Sequence, residues 1–269
     1  MTLDGLSSLC DDFYIDMYVN TELDLPTGRD TILAFFERIQ KQYPTMGCFY
    51  RHENNEYCLE EDRRLGQYRW VALEVDRVGS GVVNPADFES AYDQGRLVLD
   101  LVPYMLGVSS LDIDSLDVAF AMDFDCFGSH DEVIAEALFG SSAFNCLFQP
   151  SDGPGAKVVG FSPSMIVAIS EDGSTQARIS VESRTSLVEP GQHGSAAGYT
   201  LNAERCTLNP EQAISLCLTI RQYPRIHEIF DPLKFFEYQC RLAEEIMVDR
   251  IVPNFVKPLI QTIAQKRST

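Results

Sequence analysis

Alternation of apolar and polar positions marks the first element. Phe13, Ile15, Met17 and Val19 are separated by Tyr14, Asp16 and Tyr18, with Asn20 following, the period of two expected of a strand with one buried face. After Pro26, Thr27 and Gly28 the period lengthens. Ile32, Leu33, Phe35, Phe36 and Ile39 recur at helical spacing, and the helix should stop near Tyr43 and Pro44, because the residue before a proline disfavours helical backbone angles. Residues 46–51 and 57–60 predict a strand pair around 52–55, and residues 68–76 predict a third strand carrying Trp70, the single tryptophan. Asn84 followed by Pro85 predicts a helix start, with Phe88, Tyr92, Leu97, Leu101 and Met105 as its stripe and Gly107 as its stop.

Residues 115–127 predict a long strand. Leu116, Val118, Phe120, Met122, Phe124 and Cys126 share its apolar face, leaving Asp117, Ala119, Ala121, Asp123, Asp125 and Phe127 on the other. Ser129 and Glu132 have capping-box spacing, so 130–139 should be a short helix. Residues 140–156 hold Pro150, Gly153, Pro154 and Gly155 and suit a connection. Beyond it, 158–169 and 175–183 predict a hairpin turning at Glu171, Asp172 and Gly173, with Pro163 at an edge or bulge. Residues 189–198 form a glycine-rich loop and 213–222 alternate as another strand. Asp231 and Pro232 should open a long terminal helix, which Pro253 breaks or kinks before 254–265 resume the pattern.

The order β-α-β-β-β-α-β-α, then antiparallel strands and a terminal helix, predicts an α+β protein. Its expected parts are an acidic, ferredoxin-like N-terminal half over residues 1–140 (β-α-β-β-β-α-β), a connection over 141–156, and antiparallel strands plus a long C-terminal helix over 157–269. The two halves are expected to fuse into one compact body.

Charge adds an asymmetry. Of the formal −19, residues 1–150 carry 27 acidic and 9 basic side chains, and no lysine or arginine lies between Arg96 and Lys157. A field of that sign repels a phosphate backbone, so direct nucleic-acid binding is not expected. The eight cysteines contain no CxxC pair and fit reduced thiols in a cytoplasmic core. No signal peptide or membrane span is expected.

The segments Tyr68-Arg69-Trp70-Val71-Ala72-Leu73 and Asn84-Pro85-Ala86-Asp87-Phe88, with the strand from Leu116 to Phe127, resemble a little-characterised family of prokaryotic proteins. The similarity covers most of the chain in element order and only scattered residues. It implies a prokaryotic cytosolic protein of unassigned function and carries over no catalytic residue.

The leading functional expectation is a non-enzymatic binding or adaptor protein that recruits a basic protein partner through Asp112, Asp114, Asp117, Asp123 and Asp125. No cofactor is expected. One alternative is a Mg²⁺- or Mn²⁺-dependent enzyme acting on a phosphorylated small molecule. Asp123 and Asp125 lie about 7 Å apart along one strand face, with His130 and Asp131 just beyond, and Asp123, Asp125 and Asp131 would supply hard oxygen ligands. The bland reading makes these carboxylates a hydrated sheet surface. Another alternative is a nucleic-acid mimic occupying the groove of a DNA- or RNA-binding protein.

Several smaller motifs are weaker. Cys126 and His130 have the spacing of a thiol and its base, but Cys126 continues the apolar series. His130-Asp131-Glu132 has the H-x-E of zinc deaminases without the P-C-x-x-C that the class requires. The glycine-rich stretches lack a following G-K-[ST]. His193 reads as a loop histidine, and His227 as part of a basic patch with Arg221, Arg225, Lys234 and Arg241. Tyr14 and Tyr18 are expected as an exposed aromatic patch.

Overall fold

The computed structural model describes residues 3–52, 56–148, 158, 160–183, 213–225 and 229–267. The elements are α1 (Leu3–Ser7), β1 (Asp12–Thr21), α2 (Arg29–Gln42), β2 (Cys48–Arg51), β3 (Tyr57–Glu60), β4 (Tyr68–Leu73), β5 (Arg77–Val83) and α3 (Phe88–Met105). They continue as β6 (Ile113–Asp125), α4 (His130–Phe139), α5 (Asn145–Phe148), β7 (Ser164–Ala168), β8 (Thr175–Ser183), β9 (Ala213–Gln222), α6 (Pro232–Ile246) and α7 (Lys257–Arg267). The nine strands form one antiparallel sheet in the order β2-β3-β4-β5-β1-β6-β9-β8-β7. Mixed helix and strand, with a helical C-terminus, is the α+β class expected. The sheet crosses between the expected halves at β6 and β9 with unbroken register, from Leu116 opposite Gln222 to Asp125 opposite Ala213.

Alternation assigns one face of this sheet to the main core. Phe13, Ile15, Met17 and Val19 of β1, Leu116 to Phe124 at alternate positions of β6, and Ile214 to Ile220 of β9 are buried against Phe35 and Ile39 of α2, Val98 of α3 and Phe236 of α6. Helices α3 and α6 approach so closely that a Cβ on Gly95 would lie 2.5 Å from the Phe236 ring. Two buried glutamines join this helical layer to the strands. Gln94 donates to the carbonyl oxygens of Trp70 and Gly81 at 3.0 and 3.2 Å and to Ser80 Oγ, and Gln239 donates to Leu116 and Ile220 carbonyls at 2.7 Å each. A carbonyl left without such a donor inside the core would cost on the order of 1–3 kcal/mol.

Three local expectations change. The expected strand 68–76 ends at Leu73 as β4, and an unexpected strand, β5, follows a tight turn in which Glu74 N–H donates to Arg77 O. Alternating Gly79 and Gly81 conceal β5, since glycine lowers strand propensity. Asn84 does not cap α3; that role falls to Asp87, whose carboxylate accepts the Ser90 N–H. Asn84 instead adopts φ +49°, accepts from Phe13 N–H and donates to Asp12 and to the Gly66 carbonyl, joining β1 to the turn before β4. Pro253 does not break the terminal helix. The winding widens to a π-helix over Met247–Val256, which accommodates the missing N–H, and then returns to α7. Elsewhere the hairpin around Gly173, with φ +72°, and the Ser129 cap of α4 are as expected. Residues 189–198, His193 and His227 lie outside the described residues, as does the second half, 149–156, of the 141–156 connection.

Candidate functional site

The second face of the sheet is polar, yet its centre is buried. Register aligns three rows across the strands. One runs Glu60, Trp70, Gly81, Asp16, Ala119, Thr219; a second runs Tyr50, Cys58, Ala72, Gly79, Tyr18, Asp117, Arg221; the third runs Tyr68, Val83, Tyr14, Ala121, Cys217. Gly81 and Ala119 in the first row, Gly79 and Ala72 in the second and Ala121 in the third leave room that larger neighbours occupy. A Cβ on Gly81 would lie 2.2 Å from Asp16 Oδ1 and 2.5 Å from Trp70 Nε1, and one on Gly79 would lie 2.9 Å from the Trp70 ring. The two glycines are thus the floor on which the indole rests.

Beside that floor a cleft of about 100 Å³ opens between β1, β3, β4 and β5. Tyr14, Tyr50, Tyr57, Tyr68 and Trp70 supply its aromatic lining, and Asp16, Glu56, Glu60 and Glu74 its carboxylates, with Arg63 and His52 at the same site. The protein's own guanidinium shows what the lining can hold. Arg63 donates to Glu60 Oε2 and to the Tyr50 hydroxyl, each at 2.8 Å, while its guanidinium carbon lies 6.0 Å from the Tyr68 ring centroid. Burial pushes the Tyr50 hydroxyl well above the ordinary tyrosine range and burial raises Glu74, which Arg77 opposes. Tyr14 donates to Asp123 Oδ2 at 2.9 Å, and burial followed by the charges of Asp123 and Asp12 keeps that phenol protonated.

The structure distributes the sequence-selected acidic residues rather than joining them in one hydrated patch. Asp117 and Asp123 are 2% and 1% exposed, so the bland expectation of a hydrated sheet surface does not hold for them. Asp117 receives both Arg221 Nε at 2.7 Å and a second Arg221 nitrogen at 2.5 Å, and Asn20 donates to the same carboxylate at 3.3 Å. Asp112 accepts the Leu23 N–H and Asp114 the Ser115 hydroxyl. Asp125 is exposed; partial burial and the nearby charges of Asp11 and Asp12 raise its pKa against the opposing pull of Arg267.

Asp131 is turned to another task, accepting the Phe161 N–H at 2.8 Å. Among the described residues, which include Asp123, Asp125 and Asp131, no group of three His, Cys, Asp or Glu side chains is placed to hold a metal ion. His130 is buried with Nε2 at 2.8 Å from the Cys126 carbonyl oxygen, not its sulfur, and burial raises the Cys126 thiol pKa; this is not a nucleophile and base. Tyr14 and Tyr18 are 2% and 0% exposed, correcting the expected aromatic surface patch. Of the expected basic patch, Arg221 is committed to Asp117 and Arg225 to Asp172. No helix among the described residues is long and apolar enough to cross a membrane.

The sequence reading missed Asp16, Glu60, Arg63, Tyr68 and Trp70 as a group. The available signal was the alternation of Gly79 and Gly81 directly after a tryptophan-bearing strand, since paired glycines at period two leave space on one strand face. Searches against protein-family models, curated proteins and solved structures find no match for this chain.

Proposed function

We propose that this chain is a non-enzymatic binding protein that recruits a basic protein partner by seating an arginine or lysine side chain in the cleft beside Trp70. The observation that carries this reading is the convergence of five aromatic rings and four carboxylates in one concavity, where Arg63 already stacks on Tyr68 and pairs with Glu60. A cation over an aromatic face gains about 2 kcal/mol when desolvated, and a charge-assisted hydrogen bond adds to it. The surplus of acidic residues over residues 1–150 supplies long-range attraction, which raises the association rate more than it deepens the final contact. We also read β1, α2, β4, β5, α3 and β6 as a ferredoxin-like unit extended by the β2–β3 hairpin, supported by their spatial order β4-β5-β1-β6.

Trp70 is the only tryptophan, so its fluorescence reports on the cleft without labelling. Titration with an arginine-rich peptide should change the emission saturably, and a glutamate-rich peptide should not. Asp16→Asn, nearly isosteric at a buried cleft position, should weaken the arginine peptide roughly tenfold or more, the loss expected of one charge-assisted contact. Equal affinity in the variant, or an emission change insensitive to peptide charge, refutes the reading.

A further inference from the structure

At the far end of the sheet β7 is the last strand, and among the described residues nothing pairs with its outer edge. Its sequence is Ser164-Met165-Ile166-Val167-Ala168, without charge, proline or bulge. Native edge strands are normally protected by one of those devices, because unpaired N–H and C=O groups template the addition of another strand. Both of its faces are apolar and exposed, with Met165 57%, Ile166 60% and Val167 45% accessible. On the helix side, Met165 borders a groove formed with Phe139, Phe144, Phe161, Ile179 and Phe255. Phe139 packs at 4.9 Å on Phe161 and 6.0 Å on Phe144. Among the described residues, the apolar layer between sheet and helices is therefore left unfinished at β7.

We infer that β7 is a homodimer interface, in which two copies of this chain pair their β7 strands antiparallel about a two-fold axis at Ile166. Pairing so centred sets Met165 opposite Val167 and Ser164 opposite Ala168, so no like charges meet. It also merges the two apolar grooves across the axis. A basic partner finds no carboxylate on this strand to attract it, whereas a second acidic copy meets least repulsion here. Charges of both signs flank the strand, Arg178 and Glu182 at its Ser164 end and Glu171 beyond Ala168. Arg178 leans toward Ser164, donating to its hydroxyl at 3.2 Å, and the two-fold brings that end beside the other copy's Ala168, just before the exposed turn of Glu171. A two-fold joint closes on itself, as a β2-to-β7 joint would not.

Sedimentation velocity of the full chain, from micromolar to hundreds of micromolar, should show twice the chain mass at the upper end. Ile166→Lys, which places two cations at the axis, should sediment as a monomer with an unchanged circular dichroism spectrum. The register is tested separately by oxidation: Ile166→Cys should give a disulfide-linked dimer, because directly opposed residues meet the Cα spacing that a disulfide needs. Ser164→Cys, about 13 Å from its own symmetry mate, should link no more than the parent chain. A wild type that stays monomeric, including one that instead takes up an apolar peptide along β7, overturns the inference, as does a dimer that Ile166→Lys leaves intact. Equal linking by the two cysteine variants also overturns it.

Discussion

Replacing Gly81 by alanine is the smallest change that strikes both the sheet and the cleft. The new Cβ would sit 2.2 Å from Asp16 Oδ1 and 2.5 Å from Trp70 Nε1, against the 3.4–4 Å of ordinary van der Waals contact. Relief needs a displacement of more than 1 Å. The indole cannot slide along its strand neighbour, because its ring already lies where a Cβ on Gly79 would be 2.9 Å away, and Asp16 is 1% exposed. Overpacking of this kind costs about 1–3 kcal/mol, and two rigid obstacles put the expected loss near the upper end. Urea unfolding followed by far-ultraviolet circular dichroism measures it, while Trp70 emission in the native state should shift as the indole is forced toward solvent. Gly47→Ala is the internal control. Its Cβ would meet nothing closer than the Thr45 carbonyl at 4.0 Å, so this substitution should be neutral or stabilise slightly through the unfolded chain. A Gly81→Ala protein within about 0.5 kcal/mol of wild type, with native Trp70 emission, would refute the assignment of the glycine floor.

Two further outcomes follow from the carboxylates. Asp117→Asn leaves the largely buried Arg221 with a neutral partner, and should cost about 3 kcal/mol, the lower end for breaking a buried pair, because 17% of the Arg221 side chain still reaches solvent; chemical denaturation showing under 1 kcal/mol contradicts the pairing's importance. Asp125 has its pKa raised in the folded protein, so its contribution favours folding below the unfolded carboxylate pKa and is lost as pH rises through the folded value. Asp125→Asn should therefore raise thermal stability at neutral pH, by a few tenths of a kcal/mol at this exposed position, and the gain should vanish near pH 3. A gain that is independent of pH contradicts the electrostatic origin.

Local periodicity was sufficient for most of the architecture. The alternation in β1, β6 and β9 and the helical stripes of α2, α3 and α6 each record in one segment which side will be buried, since a single buried face imposes its own period on the residues that form it. Elements were misread where residues serve something distant in sequence. Gly79 and Gly81 weaken the strand signal of β5 because their space is taken by Trp70 and Asp16. Asn84 resembles a helix cap because the hydrogen bonds it makes instead, to Phe13, Asp12 and Gly66, span up to 72 positions.

The candidate site was still less legible. Asp117 and Asp123 were rightly placed on the non-core face, but a period of two cannot distinguish water from a second buried layer beyond that face. Composition and patterning alone determined the α+β class, the inward series of the long strands and the acidity of the first 150 residues. Strand order, which has no local signature, was decided only in the folded sheet: it set β5 beside β1 and β9 beside β6. That pairing turned Asp117 toward Arg221, brought Asp16 next to Trp70 across Gly81, and set β7 at the edge of the sheet the described residues form.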